Sequence, residues 1–284
     1  MREVTLQTPL GVLAALRNDG SGPRVLALHG WLDNAASFLP LASHLHGIDL
    51  VALDLPGHGR SAHLPPGADY SFASAIASVL DAADALGWDR FALLGHSMGA
   101  GIASQVAAAC PQRIERLAAI EALGALSEAP ERTVARLRDA VAAERALRGK
   151  QLRVFPEIDM AVRARMHASR VPGSGLDEPL VRLLVQRGLC EVDGGYAWSS
   201  DPRLTLPTLV RMTEAQVENL VAGIECPTLA IFAEPAQPYL PDDLRRRRVD
   251  LLPRGELVVI AGGHHLHMQQ PVEVTAAIGD FFLR

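Results

Sequence analysis

The chain has 284 residues, 49% of them hydrophobic, enough for one large α/β core with an insertion or for two small domains. Its net charge of -5 gives no general electrostatic reason to bind nucleic acid, and no apolar stretch is long enough to span a bilayer. The start, MREVTLQTPLG, lacks a basic segment followed by an apolar one, so a cytoplasmic location without a secretory signal is expected.

Residues 4–8 and 12–16 have strand character around the turn P-L-G and read as an antiparallel edge hairpin. VLALHG, residues 25–30, is a short apolar run closed by His-Gly, as a central parallel strand would be. Helical periodicity follows over residues 35–45, then a short strand at 50–53 and the loop DLPGHGRS at 54–61. In that loop Asp54 and Arg60 are expected to brace the backbone. Residues 72–86 form an amphipathic helix with Ser71 as its N-cap.

The next stretch, residues 91–110, organises the chain. The apolar run Phe91, Ala92, Leu93, Leu94 stops at Gly95, and an alanine-rich helix starts after Ser97. Between them, G-H-S-M-G is the strand, sharp turn and helix that a serine nucleophile needs. Glycines two residues either side of Ser97 remove side chains that would clash in a strained turn. The helix then directs free N–H groups at the point where an oxyanion develops. A lone G-x-S-x-G arises by chance; one flanked by a buried strand and an apolar helix is far more specific.

After the strand at 114–120 the pattern changes. From about residue 130 to 220 the chain is rich in Arg, Ala and Glu, with helical runs near 133–147, 160–167, 179–187 and 213–221 and no strand of parallel-core type. This reads as a helical cap, residues 122–224, inserted into a core made of 1–121 and 225–284. The core resumes with a strand at 227–232 and another at 257–261, and a helix at 271–282 closes the chain. Repeated strand–helix alternation means a mostly parallel sheet covered on both faces, an α/β fold. The run RRRR, residues 245–248, reads as the solvated side of a short helix. Cys110, Cys190 and Cys226 form no C-x-x-C and fit buried apolar roles in a reducing compartment.

Serine needs a base. GGHHLHMQQP supplies candidates just beyond the last core strand, and His264, after two glycines that free the loop, is preferred over His265 and His267. Three histidines this close in a tight loop converge on one metal only with strain, so no metal is expected. The base needs a carboxylate to hold its tautomer. Glu121 directly follows an apolar strand, where an acid is costly unless paired. Glu234, after the next strand, is the alternative, and Asp33 comes after both; a salt bridge to a cap arginine would be the structural role for Glu121. Two backbone N–H groups must face the oxyanion: those of Met98 and of Trp31, the residue after His29-Gly30. The Trp31 indole would then stand at the pocket mouth, unless it is packed in the core. His96 is expected to point away from the nucleophile, into the base of the sheet. Tyr196 and Trp198 of the insertion are expected to line the substrate pocket.

HGWLDNAASF, DLPGHGRS, GHSMGA and GGHHLHMQQP match, in order and spacing, the oxyanion loop, glycine-rich loop, nucleophile elbow and histidine loop of the α/β-hydrolase superfamily, which the chain resembles over essentially its whole length. The HGW-D-NAASF form looks most like the serine hydrolase-like proteins. In that superfamily the commonest acid is an aspartate beyond the strand that here is 227–232, where this chain has Ala236. One subgroup of haloalkane dehalogenases carries a glutamate in a context similar to AAIEAL, which supports Glu121. Those relatives and epoxide hydrolases use an aspartate nucleophile, and Ser97 argues against both reactions. The resemblance implies a serine hydrolase without cofactor, acting on an ester-type bond of a small or medium, largely apolar molecule. Amide, lactone, thioester or C–C cleavage on the same residues are alternatives, as is a binding protein that keeps the fold without the chemistry.

Overall fold

A computed structural model describes residues 1–148, 153–168 and 175–284. The hairpin β1 (Arg2–Thr8) and β2 (Gly11–Arg17) leads into β3 (Arg24–Leu28). A 3-10 turn (Ala35–Phe38) runs into the short helix α1 (Leu39–Ala42), so the periodic stretch at 35–45 is two short pieces rather than one helix; Pro40 sits at the start of the second. Then come β4 (Asp49–Leu53), α2 (Phe72–Ala85), β5 (Phe91–His96), α3 (Met98–Ala109) and β6 (Ile114–Ile120). Ser71 caps α2 by accepting from the Ser74 N–H. The inserted region holds α4 (Thr133–Leu147), α5 (Ile158–Ala168), α6 (Glu178–Gly188), the hairpin β7 (Leu189–Val192) and β8 (Gly195–Trp198), and α7 (Glu214–Ala222). β9 (Thr228–Glu234), α8 (Asp242–Asp250), β10 (Gly255–Ala261), α9 (Leu266–Gln269) and α10 (Pro271–Ile278) complete the chain.

The main sheet has the order β1-β2-β4-β3-β5-β6-β9-β10. From β4 to β10 the strands pair in parallel, and the β1–β2 hairpin closes one edge antiparallel. Because side chains alternate across a strand, each strand feeds two cores. Leu26, Leu28, Leu93 and Leu117 pack with α2 and α3 on one face; Val25, Ala27, Leu94 and Ile120 pack with Phe38, Leu41, Val274 and Ile278 on the other. β6 and β9 are neighbours, Leu117 to Ile120 against Thr228 to Ile231, so the insertion leaves and rejoins the sheet at one edge of the gap. Its own cluster joins Phe155, Val162, Leu176, Val181 and Leu184 to Met268 of the core. α7 differs from the rest of the insertion, since its Val217 and Val221 pack into the core layer beside α3.

Three sequence expectations change here. The Gly- and Pro-containing stretch EVDGGYAWSSDPRL, residues 191–204, a loop by its sequence, instead contributes most of the β7–β8 hairpin, turned at Asp193-Gly194 with Gly194 at φ 85. The arginine run is not a solvated face: Arg245 and Arg248 are 3% and 2% exposed. Arg248 donates to the carbonyls of Leu123 and Ala125 and to Glu214, and Arg245 donates to the carbonyl of Ala233. These arginines complete orphaned carbonyls at the ends of β6 and β9, which a charge pattern cannot reveal. Of the cysteines, Cys226 is buried but Cys190 is exposed.

Candidate active site

The parallel strands all end on one edge, and the chain turns there at the residues singled out for chemistry. Ser97 stands between β5 and α3 at φ 52 and ψ -117, a strained backbone for a side chain. Its N–H donates to the Ile120 carbonyl at 2.8 Å, which locks the turn to β6. A Cβ on Gly99 would lie 2.0 Å from the Leu28 carbonyl oxygen, and one on Gly95 would lie 2.4 Å from the Ala100 Cα. Only glycine fits at either position, and this close packing is what lifts the serine above the sheet.

His264 follows β10 and brings Nε2 to 2.9 Å from the Ser97 hydroxyl. Its Nδ1 lies 3.0 Å from Glu121 Oε2. Glu121 is fixed from three sides: its backbone takes φ 61, its N–H donates to the Ile231 carbonyl, and its Oε1 accepts the Ala233 N–H at 2.5 Å. The carboxylate is thereby pinned across the ends of β6 and β9 and turned to the histidine. Glu234 is exposed and its backbone carbonyl, not its side chain, anchors Gly262 of the histidine loop. Asp33 lies elsewhere too, bonded to His265 Nε2 at 3.2 Å and to Arg165 at 2.5 Å.

The other histidines take separate partners. His265 donates to Asp33, while His267 is fully buried between the rings of Phe38 and His96. His96 differs from expectation: it rises into the histidine loop and donates from Nε2 to the His264 carbonyl at 2.8 Å. It thus shapes the loop that carries the base. Burial drives the His96 and His267 imidazoles well below their ordinary range, with neighbouring histidines adding to the effect. Burial opposes ionisation of Asp33, but His265 and Arg165 beside it outweigh that and hold its carboxyl well below the usual range.

Trp31 lies in the turn from Gly30 to Asp33, closed by the Asp33 N–H on the Gly30 carbonyl at 3.1 Å. The residue is 55% exposed, and its indole N–H reaches the Leu204 carbonyl at 2.8 Å, tying turn to insertion. A cavity of about 400 Å³ lies between insertion and core, with Leu32, Phe155, Leu184, Val185 and Trp198 among its walls. Trp198 packs edge-on against Phe155 with ring centroids 5.4 Å apart. Neither Trp31 nor Tyr196 lines this cavity; Tyr196 pairs its backbone with Phe155. Ser97 and His264 lie outside its lining, with the Asp33–Arg165 pair at the wall between the chamber and the histidine loop.

Sequence reasoning missed three side chains. Tyr239, in the loop after β9, brings its hydroxyl to 3.3 Å from His264 Nδ1; burial, with Glu121 adding to it, pushes the phenol up to about 12. Arg165 and Arg187 reach from the insertion into the core. Arg187 bonds Asp54, which also accepts from the N–H groups of Ala35 and Arg60, so Asp54 does brace its loops.

The alpha/beta hydrolase fold family matches residues 23–152. A serine hydrolase-like protein of Dictyostelium discoideum is 30% identical over 98% of this chain and 81% of its own. The crystal structure of a hypothetical protein from Pseudomonas aeruginosa PAO1 is 41% identical, covers 100% of both chains and superposes with a TM-score of 0.90. The thioesterase domain from the curacin biosynthetic pathway is 25% identical over 100% of this chain and 99% of its own, with a TM-score of 0.81. With the elbow, the parallel sheet and full-length likeness to a serine hydrolase-like protein combined in one molecule, the chain belongs to the α/β-hydrolase superfamily and is a serine hydrolase.

Proposed function

We propose that Ser97, His264 and Glu121 are nucleophile, base and acid in the hydrolysis of an ester-type bond of a small or medium, largely apolar substrate. The observation that carries this reading is the continuous chain from the Ser97 hydroxyl to His264 at 2.9 Å and from His264 to Glu121 at 3.0 Å. Ser97 attacks the carbonyl while His264 Nε2 takes its proton, and Glu121 holds the proton on Nδ1 and stabilises the imidazolium. The N–H groups of Trp31 and Met98 face the oxyanion; losing one such donor typically costs about 3 kcal/mol of barrier. His264 returns the proton to the leaving group, and water, deprotonated by the same histidine, releases the acid. Residues 122–224 are the insertion on a core of 1–121 and 225–284; apart from α7, which packs into the core layer, they act as its cap. The chamber lined by Trp198 and Phe155, beyond the Asp33–Arg165 pair, takes the far end of the acyl group. The partner in this reading is a small molecule, and the setting is cytoplasmic.

Thioester hydrolysis uses the same steps, and the likeness to a thioesterase domain favours testing it. The decisive experiment treats the protein with a fluorophosphonate, maps the adduct by peptide mass spectrometry, and measures turnover of p-nitrophenyl esters of increasing acyl length. The adduct belongs on Ser97, and Ser97→Ala must abolish turnover. Labelling at another residue, or turnover that survives Ser97→Ala, refutes the reading.

A further inference from the structure

Arg165 lies on α5 in the insertion, yet its guanidinium ends on the turn that follows β3. Nη1 donates to the Leu32 carbonyl at 2.9 Å and Nη2 to Asp33 Oδ1 at 2.5 Å. The second oxygen of Asp33 accepts from His265, the chain neighbour of His264. A single carboxylate, 2% exposed, therefore joins an insertion helix, the turn bearing Trp31 and the histidine loop.

The turn itself is under strain. Leu32 sits at φ 56, a left-handed conformation that costs a leucine about 1–3 kcal/mol and persists only where the surroundings hold it. On one side the Asp33 N–H to the Gly30 carbonyl closes the turn; on the other, Arg165 holds the carbonyl of the strained residue. Slack is small, since a Cβ on Gly30 would lie 3.1 Å from Asp33 Oδ2 and 3.0 Å from His96 Nδ1. Simple docking of the insertion does not need this fork. Asn34 on the Leu184 carbonyl, Trp31 on the Leu204 carbonyl and Arg187 on Asp54 already bind the two parts without touching Leu32.

We propose that Arg165 is a positioning residue for the hydrolysis: through Leu32 and Asp33 it sets the Trp31 N–H and the His264 loop, so that the catalytic groups align when the insertion is seated. This rests on the roles given above to Ser97, His264 and Trp31. Displacing a reacting group by about 1 Å can cost about 10²-fold in rate, which sets the size of the effect.

The test compares the parent with Arg165→Met, Arg165→Lys, Asp33→Asn and the Met/Asn double variant, on p-nitrophenyl acetate and hexanoate, with thermal unfolding in parallel. Because Arg165 also borders the cavity, kcat and KM must be separated. Arg165→Met should lower kcat about 10- to 100-fold on both esters with KM within about threefold. Asp33→Asn should do the same, and the double variant should be no slower than the slower single one, as for two links of one chain. Arg165→Lys, which can hold Asp33 but not both acceptors, should recover part of the loss. An unchanged kcat, a loss confined to KM or to the longer ester, or losses that multiply in the double variant would each overturn the proposal. Should Arg165→Met fail to show an unfolding transition, Arg165→Lys decides alone: a drop in kcat of about three- to tenfold supports it, and parent-like kcat overturns it. A parent lacking Ser97-dependent turnover would instead defeat the underlying reading; Ser97-dependent turnover indifferent to Arg165 defeats only this inference.

Discussion

Glu121 divides its carboxylate between two partners, giving Oε1 to the Ala233 N–H at 2.5 Å and Oε2 to His264 Nδ1 at 3.0 Å. This division makes Glu121→Gln an unusually clear test. The new side-chain carbonyl stays on the Ala233 N–H, so the amide NH₂ faces Nδ1. The imidazole must then accept at Nδ1 and carry its proton on Nε2, facing a hydroxyl whose proton it can no longer take. We expect kcat to fall by about 10⁴, the size of loss seen when an acid is replaced by its amide elsewhere, with the fold intact. Glu234→Gln, at an exposed site, should leave kcat unchanged. Steady-state kinetics on a p-nitrophenyl ester checks both, and a Glu121→Gln rate within tenfold of the parent removes Glu121 from the triad.

The parts legible in the sequence are those where a local backbone constraint forces a residue type. Gly95 and Gly99 are required by contacts of 2.4 and 2.0 Å that no side chain could survive, so the elbow is written in five residues. Glu121 could be singled out because an acid ending an apolar strand must find a partner. The β7–β8 hairpin also had a local signal, Asp193-Gly194, the dipeptide that suits a two-residue turn; the surrounding helical composition masked it. What stayed hidden depends on partners more than a hundred residues away. Arg165, Arg187 and Arg248 look like any other arginine of a charged helix, and only the folded chain places an orphaned carbonyl or a buried aspartate at the end of each. His96 is a similar case, for its acceptor is the backbone of His264, 168 positions on.

The arginine run supplies an internal comparison. Arg248 is 2% exposed and serves two buried carbonyls and Glu214, whereas Arg246 and Arg247 lie more than half exposed on the same helix. Removing one partner of a buried ionic network leaves the others unpaired. Arg248→Ala should therefore destabilise by about 3–5 kcal/mol, measured by urea unfolding. Arg246→Ala and Arg247→Ala should leave the midpoint in place, since exposed pairs contribute little. Equal effects along the run would show that the burial pattern is wrong.

The cavity predicts a difference between two aromatic residues of one strand, Tyr196 and Trp198. Trp198 lines the chamber and packs edge-on against Phe155, while Tyr196 does not line it. Trp198→Ala should enlarge the chamber and shift the preferred p-nitrophenyl ester toward longer acyl chains. Tyr196→Ala should keep the parent's chain-length profile. Profiles that shift equally, or only for Tyr196→Ala, would place the acyl group elsewhere.

Stability should fall in mild acid, for a reason visible in four buried imidazoles. His29 and His58 are driven by burial down to about 4 and about 3, and burial likewise takes His96 and His267 well below 6.5. Each has a stake in staying neutral. His29 accepts the Leu55 N–H on Nε2 while donating from Nδ1 to the Gly30 carbonyl, so a second proton would break the first bond. His267 has no hydrogen-bond partner for either ring nitrogen among the described residues, so a charge there would be bare. The unfolded chain takes up these protons near pH 6.5 and the folded chain only further down, so the unfolded state binds more protons across that interval. Stability then drops as pH falls below about 6.5, by up to about 1.4 kcal/mol per group per pH unit. Asp33 works in the same direction but later: its folded value is depressed, so its contribution is lost only below the ordinary carboxylate range near 3.8. Thermal melts from pH 7.5 to 5 should show Tm falling continuously below about 6.5, and His267→Phe, which sacrifices no hydrogen bond, should make that fall shallower. A Tm that is level or rising between pH 6.5 and 5 would mean that these histidines do not stay neutral in the folded state.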